Sequence, residues 1–410
     1  MQPNDILPGL AIVAALVAFA ALVRSVWPFY RELTASGGPN KFESLDGLRA
    51  YLALGVFLHH ALISHHWMKT GDWEAPPNSA FYEFAGPAAV TIFFMITGFL
   101  FWTKAIRGGG SIPHRQFLIG RVLRVGPMYL AISAMVYGTL LFEKGLDFGR
   151  GPVRLLAGVV SPFTLGLIQW KRINAIDPLT LNAQVNWTLQ YEWYFYLALP
   201  VLAFLATPRR FSAVAVVVVA IFVAVNPWPS FWPAIMFLYG MAIAHLIVSI
   251  GPIRTLSGPL ACLACLGLIG LIPWVTQIPP ATGRWAWNTI FAFVLLCVLS
   301  GNTMFAALTT AGARVLGSIS YSIYLSHGFM LYLGRALMLR WVAPESLSPG
   351  HYWAFVALTG LATVLLSLVT YRWVEHPFIA YSHRLGRRSS SAPRPAEQPS
   401  PLPIPATEPA

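Results

Sequence analysis

The chain is short of charge, and of negative charge above all. Of its 410 residues 10% are Asp, Glu, Lys or Arg, and only 15 are acidic, whereas soluble globular domains carry about a quarter charged residues. That scarcity excludes an ordinary water-soluble fold. Cysteine is scarce as well. Cys262, Cys265 and Cys297 sit inside apolar runs with no second Cys or His pair beside them, which excludes a zinc finger or a disulfide framework and leaves small helix-packing residues. Long runs of Lys and Arg interleaved with aromatics are also missing, so the net charge of +12 is not read as a nucleic-acid surface.

What the chain has instead is apolar length. Hydrophobic residues make up 56% of it and the mean hydropathy is +0.62, the composition of an all-α polytopic membrane protein. Apolar stretches of near-spanning length fall at Leu7–Val26, Leu45–Ser64, Gly86–Thr103, Val122–Phe142, Trp187–Ala206, Ser212–Val225, Ser230–Ser249, Leu256–Val275, Trp285–Ser300, Val315–Leu333 and Tyr352–Trp373, eleven transmembrane helices in all. With the N-terminus outside and the C-terminus cytoplasmic, two-thirds of the Lys and Arg residues fall on the inner side, as the positive-inside rule requires. The first span lacks the leading positive charge of a secretory signal and reads as a retained helix. A long outer loop, Glu143–Asn186, has an apolar middle, Leu155–Ile168, that Pro162 interrupts, so it is expected to be re-entrant or interfacial rather than spanning. From residue 384 the chain becomes a proline-rich tail expected to be disordered.

Ionisable groups inside such helices are costly and usually functional. In LDGLRAYLALGVFLHH, Asp46 is placed to cap a helix, and Arg49 and His60 lie eleven residues apart, about 16 Å of rise on nearly one face. His60 can take a proton near neutral pH, whereas His59 points about 100° away and reads as structural. His59, His60, His65 and His66 have no carboxylate or cysteine at ligand spacing, so no metal is expected. FLIGRVLRVGPMY sets Arg121 and Arg124 on one face, where guanidinium forks could clamp phosphate. In NWTLQYEWYFY, Glu192 is expected about one turn from the outer surface, pairing with a basic residue of the outer loop or orienting an acceptor. In LGSISYSIYLSH, Ser320, Tyr324 and His327 share a face beside Tyr321. YRWVEHPF closes the last helix, where Arg372 and Glu375 are expected to fix the helix end.

Together and in this order, these segments resemble the acyltransferase 3 family of integral membrane acyltransferases. LDGLRA followed by His60 matches the family's arginine, ten residues, histidine motif, and FFMITGFLF resembles its FF-x-x-SGFL segment with Thr97 for serine. The similarity covers about residues 41–381, within a membrane domain of residues 41–383, and implies a ten-helix core with one extra helix and linker, residues 1–40, in front. It implies transfer of an acyl group, commonly acetyl, from cytoplasmic acyl-CoA to a hydroxyl of a cell-surface carbohydrate or its lipid-linked glycolipid precursor. The enzyme would sit in the bacterial plasma membrane, with acyl-CoA as cosubstrate and no tightly bound cofactor. By resemblance His60, Arg49 and Glu192 are catalytic, and Arg121, Arg124, Tyr321 and His327 bind the donor. His60 would either deprotonate the acceptor or take the acyl group itself. A small glycosylated metabolite such as a macrolide is the alternative acceptor, and a transporter or flippase of a polar substrate is the alternative from another class.

Overall fold

The computed structural model describes residues 2–35, 43–76, 79–207, 210–211, 232–272 and 280–390, with the side chains of 280–284 and 386–390 excepted. The expected span Ser212–Val225, the end of the linker before residue 43, and the chain after 390 lie outside these residues.

Among the described residues every regular element is a helix. Six helices are long and apolar enough to cross a membrane: Ile6–Val26, Glu43–Thr70, Ala80–Arg107, His114–Lys144, Trp232–Ile250 and Pro349–Leu385. The first, α1 (Ile6–Val26), stops just before Pro28, which opens the short α2 (Pro28–Ala35). Next come α3 (Glu43–Thr70), α4 (Ala80–Arg107) and α5 (His114–Lys144), each exceeding the apolar stretch that announced it. Because α3 starts at Glu43, Asp46 lies in its first turn rather than at its cap, 3.8 Å from Arg49.

The loop after α5 is built as its proline dictates. Helix α6 (Pro152–Val160) gives way to a single 3-10 turn, Ser161–Thr164, around Pro162, and the one-turn α7 (Pro178–Leu181) follows. Then come α8 (Trp187–Leu202), α9 (Trp232–Ile250), α10 (Pro259–Gly270) and α11 (Pro280–Leu299). Residues 315–333, expected as one span, are broken at Ile319 into α12 (Ala311–Ser318) and α13 (Ser320–Met338). Helix α14 (Pro349–Thr370) runs into a π-turn, Tyr371–Glu375, and then α15 (His376–Ser390), which carries helix past residue 384.

Where hydrophobicity gives helices no preference for one another over lipid, close backbone approach holds them together. A Cβ on Gly47 would sit 1.8 Å from the carbonyl oxygen of Leu308, and one on Gly317 would sit 2.0 Å from that of Asp46. Both positions therefore require glycine, and they seat α12 and the 3-10 turn before it, Ala307–Thr309, against the start of α3. Cross-helix contacts fix direction. His60 meets His327 and Trp67 meets Arg335, while Tyr321 reaches Val125 and Tyr332 reaches Glu143. Residue numbers rise together in both pairs of contacts, so α3, α5 and α13 run parallel, with Arg49, Arg124 and Tyr321 at one end.

Candidate active site

At that end the helices enclose a cavity of about 190 Å³. Arg49 from α3, Arg121 and Arg124 from α5, Glu192 and Tyr196 from α8, and Ser320, Tyr321 and Tyr324 from α13 line it together with Phe93, Thr97 and Phe101 from α4. Of the seven residues that the resemblance names as catalytic or donor-binding, five converge here: Arg49, Arg121, Arg124, Glu192 and Tyr321. Three guanidiniums in so small a space, with Glu192 among them, give it donor forks of the kind that bind anions.

Each cation is held differently. Arg121 is cradled by aromatic faces, with Phe101 at 4.8 Å, Phe117 at 5.8 Å and Tyr196 at 5.9 Å, and its buried Nε has no hydrogen-bond partner. Arg124 lies over the Tyr321 ring and donates through Nη1 to Glu375 Oε2 at 2.9 Å. Glu375 is fully buried, and its other oxygen accepts from Ser322. The expected Arg372–Glu375 pair is thereby corrected. The π-turn swings Glu375 inward to Arg124, while Arg372 turns out onto the Phe29 ring at 4.4 Å. Tyr321 donates to the Val125 carbonyl at 3.0 Å, tying α13 to α5 beside Arg124.

Glu192 also departs from its expected place. It stands among the arginines, accepting from Tyr196 at 2.7 Å, rather than one turn from the far face beside a basic loop residue. The reason is the loop before it. Asn182 Oδ1 accepts from the Phe329 amide at 3.0 Å, and the Tyr324 hydroxyl donates to the Val185 carbonyl at 3.2 Å. The chain has thus already descended to the middle of α13 when α8 starts, and Thr188 meets Tyr324 at 2.9 Å. Helix α8 therefore begins at mid-depth and carries Glu192 down to the arginine end.

His60 and His327 line neither wall of this cavity. They meet each other just beyond Tyr324, whose ring centroid is 6.0 Å from that of His327. His60 Nδ1 lies 3.0 Å from His327 Nε2 and 3.1 Å from the Val56 carbonyl, and the two imidazoles stack at 5.1 Å. Hydrogen-bond logic assigns the tautomers. His327 Nδ1 faces the Ile323 carbonyl at 3.1 Å, which can only accept, so that nitrogen carries the proton and Nε2 holds a lone pair. His60 Nδ1 faces a carbonyl and that lone pair, so it too is protonated. His60 Nε2 is left as the basic nitrogen. His327, which the resemblance grouped with the donor-binding residues, is the partner of His60. His59 points aside, bonding the Tyr82 carbonyl through Nδ1 at 2.8 Å, and so ties α3 to α4.

Sequence reasoning missed the Arg124–Glu375 pair, the descent of the loop and the stacking of Arg335 on Trp67. No local period signals any of them. The three cysteines are buried and unlinked, with Cys265 and Cys297 packed together, and among the described residues no group of three or more His, Cys, Asp and Glu side chains is placed to hold a metal.

Comparison with known proteins assigns the family. The acyltransferase 3 model, described as an acyltransferase domain, matches residues 42–372. The chain belongs to the acyltransferase 3 family. Among the relatives of this acyltransferase is nodulation protein 10 of Rhizobium leguminosarum bv. viciae, 27% identical over 391 residues that span 84% of the chain and 94% of the relative. Another is the exopolysaccharide production protein ExoZ of Rhizobium meliloti (strain 1021), 26% identical over 313 residues, or 72% of the chain and 90% of the relative. No solved structure matches it. Acyltransferase 3 proteins are integral to membranes, in keeping with the apolar helices described above.

Proposed function

We propose that this acyltransferase moves an acyl group, acetyl in the first instance, from acyl-CoA to a hydroxyl of a cell-surface carbohydrate or its lipid-linked precursor. The observation that carries the reading is the continuity of the arginine-lined cavity, Tyr324 and the His60–His327 pair along α13. In this reading the helices lie in the bacterial plasma membrane, the N-terminus is outside, and the arginine end is cytoplasmic. Arg49, Arg121 and Arg124 hold the phosphates of CoA, Glu192 and Tyr321 frame its path, and the pantetheine arm rises past Tyr324 to bring the thioester to His60.

His60 Nε2 is the reacting nitrogen by either route. As a base it takes the acceptor hydroxyl proton while the oxygen attacks the thioester carbonyl. The C–S bond then breaks, and the imidazolium returns the proton to the departing CoA sulfur. As a nucleophile, Nε2 attacks the thioester carbonyl and the C–S bond breaks to release CoA thiolate; the acceptor oxygen then attacks the acyl-imidazolium, the C–N bond breaks to free His60, and the hydroxyl proton goes to the thiolate. His327 holds Nδ1–H and steadies the positive charge that His60 gains. The relative named for exopolysaccharide production supports a polysaccharide acceptor.

Membranes carrying the protein, incubated with radiolabelled acetyl-CoA, should release CoA thiol and label a glycan fraction. His60→Ala should abolish both while the purified variant still binds acetyl-CoA. Absence of thiol release from the wild type would overturn the enzymatic reading, and near-normal turnover in His60→Ala would remove His60 from it.

A further inference from the structure

Two turns beyond His60 and His327, the same pair of helices meets again. Trp67 stands seven residues after His60 on α3, which returns it to nearly the same face, and Arg335 stands eight residues after His327 on α13, about 12 Å further along the axis. Arg335 is only 9% exposed, and its guanidinium carbon lies 3.9 Å from the Trp67 ring centroid and 5.2 Å from that of Tyr332. Among the described residues no carboxylate comes within the 4.0 Å of an ion pair with it, and its guanidinium forms no hydrogen bond. The nearby Glu143 accepts instead from the Tyr332 hydroxyl at 2.6 Å.

A buried arginine in a membrane protein is ordinarily matched by an acid. Here two aromatic faces hold the flat of the guanidinium and leave its donor edge unspent, the arrangement that presents a fork to an incoming oxyanion. Its position adds direction. In the proposed reading the donor occupies the cavity at the arginine end, so the seam between α3 and α13 beyond His60 is left as the side for the second substrate.

Resting on the proposed acyl transfer, we propose that Arg335, caged by Trp67 and Tyr332, is an acceptor-side subsite for an oxyanion, a carboxylate or a phosphate, two helical turns beyond the His60–His327 pair. An acidic sugar would supply the carboxylate, and a sugar phosphate or lipid-linked precursor the phosphate. The anion anchors the acceptor at the outer end of the seam and leaves a hydroxyl further along to reach His60.

The test is direct binding, measured by ligand-observed NMR on the full chain in nanodiscs with methyl glucuronide, glucose 1-phosphate and the neutral methyl glucoside as probes. At least one anionic probe should bind the wild type and His60→Ala alike, ten-fold or more tighter than methyl glucoside. Arg335→Gln should remove that preference, and Trp67→Leu should weaken it several-fold, both variants still binding acetyl-CoA as evidence of an intact fold. Preference for glucuronide names a carboxylate, and preference for the sugar phosphate names a phosphate. Equal binding of all three probes, a preference that survives Arg335→Gln, or a preference lost in Arg124→Gln instead would overturn the proposal. Because binding needs no turnover, loss of transfer in His60→Ala leaves this outcome untouched.

Discussion

The role assigned to His327 can be tested through its size and its one acceptor nitrogen. His327 is fully buried, and its Nε2 accepts the Nδ1 proton of His60 at 3.0 Å. When His60 gains charge during transfer, that bond becomes charge-assisted, and hydrogen bonds to charged groups contribute about 1.5–3 kcal/mol. Removing it should slow turnover by a factor of about 10–100. The Val56 carbonyl, 3.1 Å from the same nitrogen, remains and keeps the loss toward the lower end. His327→Leu should therefore lose about 10–30-fold in kcat by this reasoning. KM for acetyl-CoA should hold, since His327 does not line the donor cavity. His327→Gln, which offers an amide oxygen where Nε2 stood, should recover much of the rate. Thiol release by the purified protein in nanodiscs, with acetyl-CoA varied, separates the two constants. Turnover of His327→Leu within about twofold of wild type, or a loss confined to KM, would refute the reasoning.

Other expectations follow from the same geometry. Arg124→Gln should weaken acetyl-CoA binding and, by stranding the buried Glu375, cost about 3–5 kcal/mol of stability. Adding Glu375→Gln should restore the melting temperature but not donor affinity, and a double variant as unstable as the single would sink the pair. Arg121→Lys gives up both the fork and the stack on Phe101, 4.8 Å away, and should raise KM for acetyl-CoA by about 5–10-fold with little change in kcat; an unchanged KM counts against Arg121 as a donor contact. A methyl group at Gly328 would sit 2.4 Å from the Asn182 carbonyl carbon. Gly328→Ala should thus loosen the descending loop by about 1–3 kcal/mol, seen as faster amide exchange over residues 178–186, and exchange equal to wild type would mean the loop is held by something else.

The membrane character, the helical content and the segments that match the family were legible in the chain because each rests on local chemistry. Apolar length demands internally satisfied backbone, and a 3.6-residue period places Arg121 with Arg124, and Ser320 with Tyr324 and His327, on shared faces. The interruption at Pro162 was legible for the same reason, since a missing amide acts where it stands. The break at Ile319 was not, because the sequence there has neither proline nor a change of apolar period.

Local period fixes the phase of a residue on its helix but neither its depth nor its partner. Nothing near Glu192 records that the loop before it descends to Asn182 and Val185, so only the tertiary structure moved this carboxylate from the far surface to the arginines. Arg124 and Glu375 are 251 residues apart, and His60 and His327 are 267 apart. The sequence determined that these groups are buried in a membrane domain at a cost that calls for partners. Which group satisfies which was decided by glycine-seated helix contacts and an inward π-turn, because at such separations only packing brings the two ends together.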